Sequence, residues 1–138
     1  MGRIIGIDYG TKRVGIAVTD PLQIIATALD TVNAQHVLDF LAQYCTQEVT
    51  DAFVVGMPLK LNNSDTNATS HVKGFVKRLK KKFPGKPVYL QDERFTSKEA
   101  LSAMIQAGTT KKYRRDKRNI DKVSATIILQ SHLEKNNL

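Results

Sequence analysis

Cysteine and histidine are scarce in this sequence, and long apolar runs are absent. Cys45 is the single cysteine, so an internal disulfide or a cysteine-rich zinc site is excluded. The 3 histidines are scattered and lack the spacing of metal ligands. No apolar run approaches the roughly 20 residues that cross a bilayer, and the chain opens directly on a strand-like segment. These absences predict a soluble protein of a reducing compartment, the cytoplasm, with no membrane partner.

Acidic residues are also few compared with basic ones. Lys and Arg total 21 against 13 Asp and Glu, which gives a formal net charge of +8. A surplus of this size favours a polyanionic partner, above all nucleic acid, over an acidic or neutral one. With 138 residues and no internal repeat or linker, the chain is expected to form one α/β domain over residues 1–138.

Hydrophobic patterning predicts three strands before the first helix. A β-branched run over residues 3–9 is typical of a central strand, and a turn at 10–13 joins it to a second strand at 14–20. Residues 24–32 form a weaker third strand. Asn33 can then cap a helix. The apolar face of that helix is Val37, Leu38, Leu41 and Cys45.

Strands and helices alternate in the middle of the chain. A buried strand at 52–55 precedes a polar loop, and a long amphipathic helix begins near Ser64 or Asp65. Pro84-Gly85 ends this helix, and a last strand follows at 88–91. The order supplies two crossover helices, which parallel strand pairs require. We therefore expect a five-stranded mixed sheet with helices on both faces.

Two helices are predicted after the last strand. Thr96 starts the first of them with Glu99 in a capping box, and Gly108 ends it. The polar and very basic stretch 109–119 is expected to be a loop. A final helix from about Ile120 turns four apolar side chains inward. These are Val123, Ile127, Ile128 and Leu133.

Three acidic residues lie where strands or helices end, the positions at which open α/β sheets tend to bind ligands. Asp8 lies near the end of an apolar strand, where a carboxylate is costly unless it is paired or binds a metal. Glu93 directly follows the last strand, and Asp121 opens the last helix. Each of these two also has a simpler interpretation. Glu93 could pair with Arg94 on the surface, and Asp121 could stabilise a helix N-terminus.

A cluster of three carboxylates would suit Mg²⁺ or Mn²⁺. Both ions prefer hard oxygen ligands and keep positions open for water and phosphate oxygens. Two such ions can align a water and stabilise the leaving oxygen in phosphodiester hydrolysis. The sequence thus favours a metal-dependent nuclease in which Asp8, Glu93 and Asp121 lie within about 4 to 8 Å of one another.

Basic residues accompany the carboxylates. Residues 111–118 carry six positive side chains against one negative, and Tyr113 among them could stack on an unpaired base. The alternative is a solvated loop, just as the lysine-rich helix 64–83 could serve solubility alone. Lys12 and Arg13 could touch substrate or only shape the hairpin turn. The candidate nucleic-acid-binding residues are Lys12, Arg13, Arg94, Lys111, Lys112, Tyr113, Arg114, Arg115, Lys117 and Arg118.

Four motifs resemble those of the YqgF/RuvX family of pre-16S rRNA nucleases. They are GIDYGTKRVGIAVTD at residues 6–20, VGMPL at 55–59, QDERFTS at 91–97 and DKVSATIILQ at 121–130. The motifs follow one another along essentially the whole chain, which is far more specific than the Asp-x-Gly element of the first motif by itself. Three residues depart mildly from the family pattern, and none of them is acidic. These are Phe95, Ser97 and Ser124.

The resemblance implies an RNase H-like fold and a divalent metal. It also implies a carboxylate triad at Asp8, Glu93 and Asp121, and a role in maturing the small-subunit ribosomal RNA. Expected partners are therefore structured or precursor ribosomal RNA and the ribosomal small subunit. The protein is expected to be a monomer or a weak dimer.

Three other functions stay open at this point. The same superfold hosts Holliday junction resolvases, which act on DNA and generally need a symmetric dimer with two active sites. An actin-like ATPase has a phosphate-binding turn similar to residues 8–11, but it needs two lobes and 138 residues supply only one. A non-catalytic RNA-binding ribosome-assembly factor would combine the basic charge with no metal-dependent turnover.

Overall fold

The computed structural model describes residues 2–58, 67–92 and 96–136. Its strands are β1 (Arg3–Tyr9), β2 (Arg13–Thr19), β3 (Ala26–Asn33), β4 (Thr50–Met57) and β5 (Val88–Asp92). Its helices are α1 (Val37–Gln47), α2 (Asn67–Lys82), α3 (Thr96–Gln106), α4 (Lys111–Arg115) and α5 (Lys117–Asn136). In these ranges no helix is both long and apolar enough to cross a membrane.

The strands form one mixed sheet in the order β3-β2-β1-β4-β5. β1 and β2 pair antiparallel, as do β2 and β3, whereas β4 runs parallel to β1 and to β5. The chain passes through α1 before β4 and through α2 before β5, so the two predicted crossovers are present. The five-stranded mixed sheet expected from the sequence is therefore confirmed.

Side chains alternate between the two faces of the sheet, and each face is covered by helices. Ile5 and Ile7 of β1 pack with α1 and α2 in the larger core, which includes Leu41 and Phe75. On the opposite face, Ile4, Ala17 and Val54 pack against α5. The helix α5 contributes Ala125, Ile128, Leu129 and Leu133 to this second core. β1 thus lies at the centre of the sheet, buried on both sides.

The first helix confirms the predicted apolar face but not the predicted cap. Val37 and Leu41 are buried, and Leu38 and Cys45 pack against the same core. Asn33 precedes a short 3₁₀ turn (Ala34–His36), and its side chain makes no capping hydrogen bond. The helix proper follows this turn, so the prediction that Asn33 caps it was wrong. The predicted start of α2 near residue 64 or 65 lies outside the described residues.

The basic stretch 109–119 is helical where a loop was expected. The Thr110 hydroxyl accepts a hydrogen bond from the Tyr113 N–H at 3.1 Å and so caps α4. Asp116 then accepts from the Arg118 N–H at 2.9 Å at the start of α5, which begins at Lys117 rather than near Ile120. Capping by short polar side chains stabilises helical turns without any apolar periodicity. The hydrophobic pattern therefore could not reveal them.

The ends and faces of the last helices also differ in part from the predictions. Gly108 has φ +78° just after α3, a conformation that favours glycine, which confirms it as the end of that helix. The Thr96 and Glu99 side chains lie outside the described residues, so the capping box stays a prediction. In α5, Val123 and Ile127 are only half-buried, and the inward face is centred on Ala125 and Leu129 instead.

Candidate active site: a polar cleft at the carboxyl end of β1

Asp8 lies next to the last residue of β1, on the sheet face that carries α5. In the β1–β2 ladder it is paired with Gly15 of β2. Directly opposite residues of an antiparallel pair share one face of the sheet. Ile7 and Tyr9, its neighbours in the strand, pack on the other face with α2. The strand alternation therefore turns the half-buried Asp8 carboxylate away from the larger core and toward the beginning of α5.

Gly15 brings the backbone of α5 into direct contact with β2. A Cβ atom built on Gly15 would lie 2.0 Å from the main-chain oxygen of Asp121 and 2.4 Å from its carbonyl carbon. No side chain fits in that space, because real Cβ atoms do not approach backbone atoms so closely. The contact places Asp121 over the residue that pairs with Asp8. Only glycine allows the helix to lie this close.

The two aspartates line one cleft of about 310 Å³. The other lining residues are Gly10, Thr11, Lys12, Arg13 and Lys117. The structure therefore brings together two of the three predicted acidic residues, although they come from opposite ends of the chain. Glu93 and Arg94 lie outside the described residues, so their membership of the site, and the spacing expected of the triad, stay predictions.

Arg13 is bound to Asp121 by an ion pair that the sequence did not reveal. The Arg13 Nε donates to the Asp121 Oδ2 at 2.8 Å, and the two side chains are 32% and 21% exposed. Charge-assisted hydrogen bonds of this length are about twice as strong as neutral ones. The guanidinium thus neutralises one carboxylate of the cleft. No local pattern could have indicated a contact between residues so distant in sequence.

The sequence predicted that Asp121 opens the last helix, and this prediction was wrong. It is the fifth residue of that helix, and the first turn contains no acidic residue. The stabilising effect of a helix dipole on a carboxylate falls off within the first turn. The simpler interpretation of Asp121, as a charge at a helix N-terminus, therefore loses its basis.

The cleft suits a hard divalent cation in its donor chemistry. Asp8 and Asp121 offer carboxylate oxygens, the ligands that Mg²⁺ and Mn²⁺ prefer, and both ions bind through one or two carboxylates while keeping waters. Within residues 2–58, 67–92 and 96–136, no group of three His, Cys, Asp or Glu side chains could hold a metal. The two aspartates therefore fit such an ion as part of a ligand set, with Glu93 as the predicted third member.

The predicted nucleic-acid-binding residues that the structure describes separate into three groups. Lys12, Arg13 and Lys117 line the cleft itself. On α4, Lys112 and Tyr113 line a second hollow, and four of the predicted side chains are exposed. These are Lys111, Lys112, Tyr113 and Arg115.

The remaining two arginines of the basic stretch bind the chain itself. The Arg114 guanidinium donates to the main-chain oxygen of Thr109. The Arg118 guanidinium donates to the main-chain oxygen of Thr31, whose hydroxyl donates in turn to the Arg118 carbonyl at 2.6 Å. Arg118 thus ties the first turn of α5 to β3. These contacts give both arginines a structural role that the sequence did not indicate.

Sequence comparison relates this chain to one family over nearly its full length. The family model described as "RuvX: Holliday junction resolvase" matches residues 2–135. A protein of Amoebophilus asiaticus is 50% identical over 133 residues, which cover 96% of this chain and 94% of the relative. A Bacteroides fragilis protein is 48% identical over 134 residues, 97% of each chain. Both relatives are named "Putative pre-16S rRNA nuclease".

Two solved structures of Thermus thermophilus RuvC share the fold. One, in complex with a Holliday junction substrate, superposes with a TM-score of 0.61 at 18% identity, covering 99% of this chain and 96% of that one. The other has a TM-score of 0.53 at 16% identity and covers 98% and 96%. At this level of identity the likeness concerns the fold alone. The sheet and its helices are accordingly of the RNase H-like type expected from the sequence.

Proposed function

The chain belongs to the RuvX family, and we propose that it is a metal-dependent nuclease that hydrolyses phosphodiester bonds in 5′-end maturation of pre-16S ribosomal RNA. The observation that carries the proposal is the convergence of Asp8 and Asp121 in one cleft that also holds Lys12, Arg13 and Lys117. Carboxylates can hold the metal ion that hydrolyses a phosphodiester, and cationic side chains can bind its phosphates. A precursor ribosomal RNA as substrate would place the protein in the cytoplasm. We further propose that it acts there as a monomer or weak dimer.

The roles of the residues follow from their positions. Asp8 and Asp121, with Glu93 as third ligand, would hold Mg²⁺ or Mn²⁺. When bound, such an ion supplies an activated water and stabilises the leaving oxygen. Lys12 and Lys117, at the walls of the cleft, would bind the phosphates on either side of the scissile bond. In the metal-free protein Arg13 would neutralise Asp121. Once the Asp121 carboxylate binds the metal ion, Arg13 would bind a substrate phosphate instead.

RNA is favoured over a DNA junction as substrate by the names of the individual relatives, even though the family model carries the description "Holliday junction resolvase". The relatives at 48% and 50% identity carry the ribosomal RNA name, whereas the RuvC bound to a Holliday junction is 18% identical. The test is turnover of an RNA containing the 5′ extension of the 16S precursor, beside a four-way DNA junction, with Mg²⁺, Mn²⁺ or a chelator. Metal-dependent cleavage of the RNA supports the proposal. Cleavage of the junction alone, or no metal-dependent turnover of either, contradicts it.

Arg13→Gln is expected to tighten Mn²⁺ binding by roughly threefold to tenfold, because the ion no longer competes with a charge-assisted hydrogen bond to Asp121. Calorimetric or paramagnetic titration with Mn²⁺ in the absence of RNA measures the change. Lys12→Gln is the control, since it removes a cation from the same cleft and leaves the ion pair intact. An equal gain in both variants would show that only the general potential of the cleft matters. An unchanged Mn²⁺ affinity in Arg13→Gln would show that Arg13 does not compete with the ion for the Asp121 carboxylate.

Replacing Lys111, Lys112 and Arg115 by Gln is expected to weaken RNA binding and leave cleavage at saturating RNA largely unchanged. Arg114 is kept, because its hydrogen bond to Thr109 supports the fold. For every duplex phosphate that the variant no longer neutralises, the plot of log affinity against log salt becomes shallower by about 0.9, and by less on single strands. Fluorescence anisotropy over a salt series gives the slope. Identical slopes for the parent and this variant would show that these α4 side chains are solvated and do not bind phosphates.

A further inference from the structure

The exposed side of α2 is a cationic surface on the face of the sheet opposite the cleft. Val72, Phe75, Val76 and Leu79 turn inward, while Lys77, Arg78 and Lys81 are exposed. Residues three and four apart are neighbours on a helix surface, so these three cations form one cluster with Gly74 beside it. The helix contains no acidic residue between Asn67 and Lys82. We call this cluster the cationic face of α2.

This surface lowers the stability of its own helix. Lys77 and Lys81 are four residues apart, and like charges at that spacing destabilise a helix. Among the described residues neither of them has an ion pair. Gly74 lies in the middle of the helix, where glycine is among the least favourable residues. A Cβ atom there would meet nothing within 4 Å, so no packing in the fold requires glycine.

The cationic face is connected to the end of the strand that carries Asp8. The Arg78 guanidinium donates to the Tyr9 hydroxyl at 3.1 Å. The ring of Tyr9 stacks on Phe75 with the centroids 4.5 Å apart and the planes at 14°. Tyr9 directly follows Asp8, and the two side chains point to opposite faces of the sheet. The cleft and the cationic face thus lie on opposite faces of the sheet at the same end of β1.

We propose that the cationic face of α2 is a second binding surface, which holds the phosphate backbone of the nucleic acid at a distance from the scissile bond. Clustered cations without acidic partners complement a polyanion. The missing side chain at Gly74 lets a phosphate approach the helix backbone between Lys77 and Arg78. The identity of the nucleic acid as RNA rests on the proposed function, but the surface itself does not depend on cleavage.

The test compares a long with a short RNA, because only a long one can reach both surfaces. The probes are a hairpin of about 30 nucleotides with a single-stranded tail and an oligonucleotide of about 6. The variant Lys77→Gln/Lys81→Gln keeps the Arg78 hydrogen bond to Tyr9. On the long RNA it should bind roughly tenfold more weakly, with a salt slope shallower by up to about 1.8. On the short RNA its affinity and cleavage should equal those of the parent.

Lys86→Gln/Lys135→Gln is the matched control, since it removes the same two charges from a half-buried position in the turn after α2 and an exposed position near the end of α5. Its slope on the long RNA should stay close to that of the parent. Equal slopes for the parent and both double variants would overturn the proposal. A loss of equal size in both double variants would overturn it too, because it would then reflect net charge alone.

Gly74→Ala separates binding from folding. Alanine favours the helix and has open space, so the melting temperature should rise by roughly 3 to 5 °C. Affinity for the long RNA should nevertheless fall, because the methyl group keeps the phosphate away from the helix. A higher melting temperature with unchanged affinity would overturn the role of Gly74. If neither the parent nor any variant cleaves RNA, but the differences in affinity and salt slope on the long RNA persist, the nuclease assignment fails and the second binding surface is supported.

Discussion

Asp8→Asn is expected to abolish metal-dependent cleavage of structured RNA while RNA binding stays intact or becomes slightly tighter. Asn keeps the shape of the side chain but removes the negative charge that would hold the ion and that faces the phosphates in the cleft. The loss should exceed about 100-fold, since changes to groups that only orient metal ligands already cost about 10- to 100-fold. Single-turnover cleavage and anisotropy on the same RNA measure the two quantities separately.

The stability of Asp8→Asn distinguishes a catalytic from a structural residue. With no metal present, Lys12, Arg13 and Lys117 outnumber the two carboxylates of the cleft, so removal of the Asp8 charge should lower the free energy of unfolding by no more than about 1 kcal/mol. Asp39→Asn, an exposed position on α1, is the control for the loss of one negative charge and should cleave like the parent. Undiminished cleavage by Asp8→Asn, in a preparation free of contaminating nuclease, would refute the catalytic assignment. A loss of several kcal/mol would make Asp8 a structural residue.

Gly15→Ala is expected to have the second large effect, on both stability and activity. The added methyl group meets the Asp121 carbonyl at 2.0 Å, so α5 must move away from β2. Overpacking of this kind costs about 1 to 3 kcal/mol, occasionally more, and should lower the melting temperature by roughly 5 to 15 °C. The shift also displaces Asp121 from the cleft, and misplacement by about 1 Å can cost 100-fold in rate.

Gly85→Ala provides the comparison for Gly15→Ala. Gly85 lies in an exposed turn where an added Cβ would meet nothing within 4 Å, so this variant should fold and cleave like the parent. Thermal unfolding together with cleavage below both melting temperatures separates loss of fold from displacement of Asp121. If Gly15→Ala unfolds at the temperature of the parent, α5 can move away from β2 at little cost. Asp121 would then owe its position to other interactions.

Asp8 could be identified from the sequence because its signal is local. A carboxylate near the end of an otherwise apolar strand is conspicuous, and the strand pattern around it predicted β1 within the observed bounds of Arg3–Tyr9. The helical nature of residues 111–118 could not be identified in the same way. It depends on caps from Thr110 and Asp116 rather than on periodicity.

By itself, the sequence determined the order of strands and helices, the mixed sheet and the acidic and basic residues to be considered, because alternation, caps and glycine turns act over a few neighbouring positions. Only the tertiary structure decided which of these residues meet. The pairing of Asp8 with Gly15 and the close approach of α5 over Gly15 place Asp121 in the same cleft as Asp8. Arg13 reaches Asp121 for the same reason. Such contacts depend on how whole elements pack, and packing joins positions that no spacing in the sequence relates.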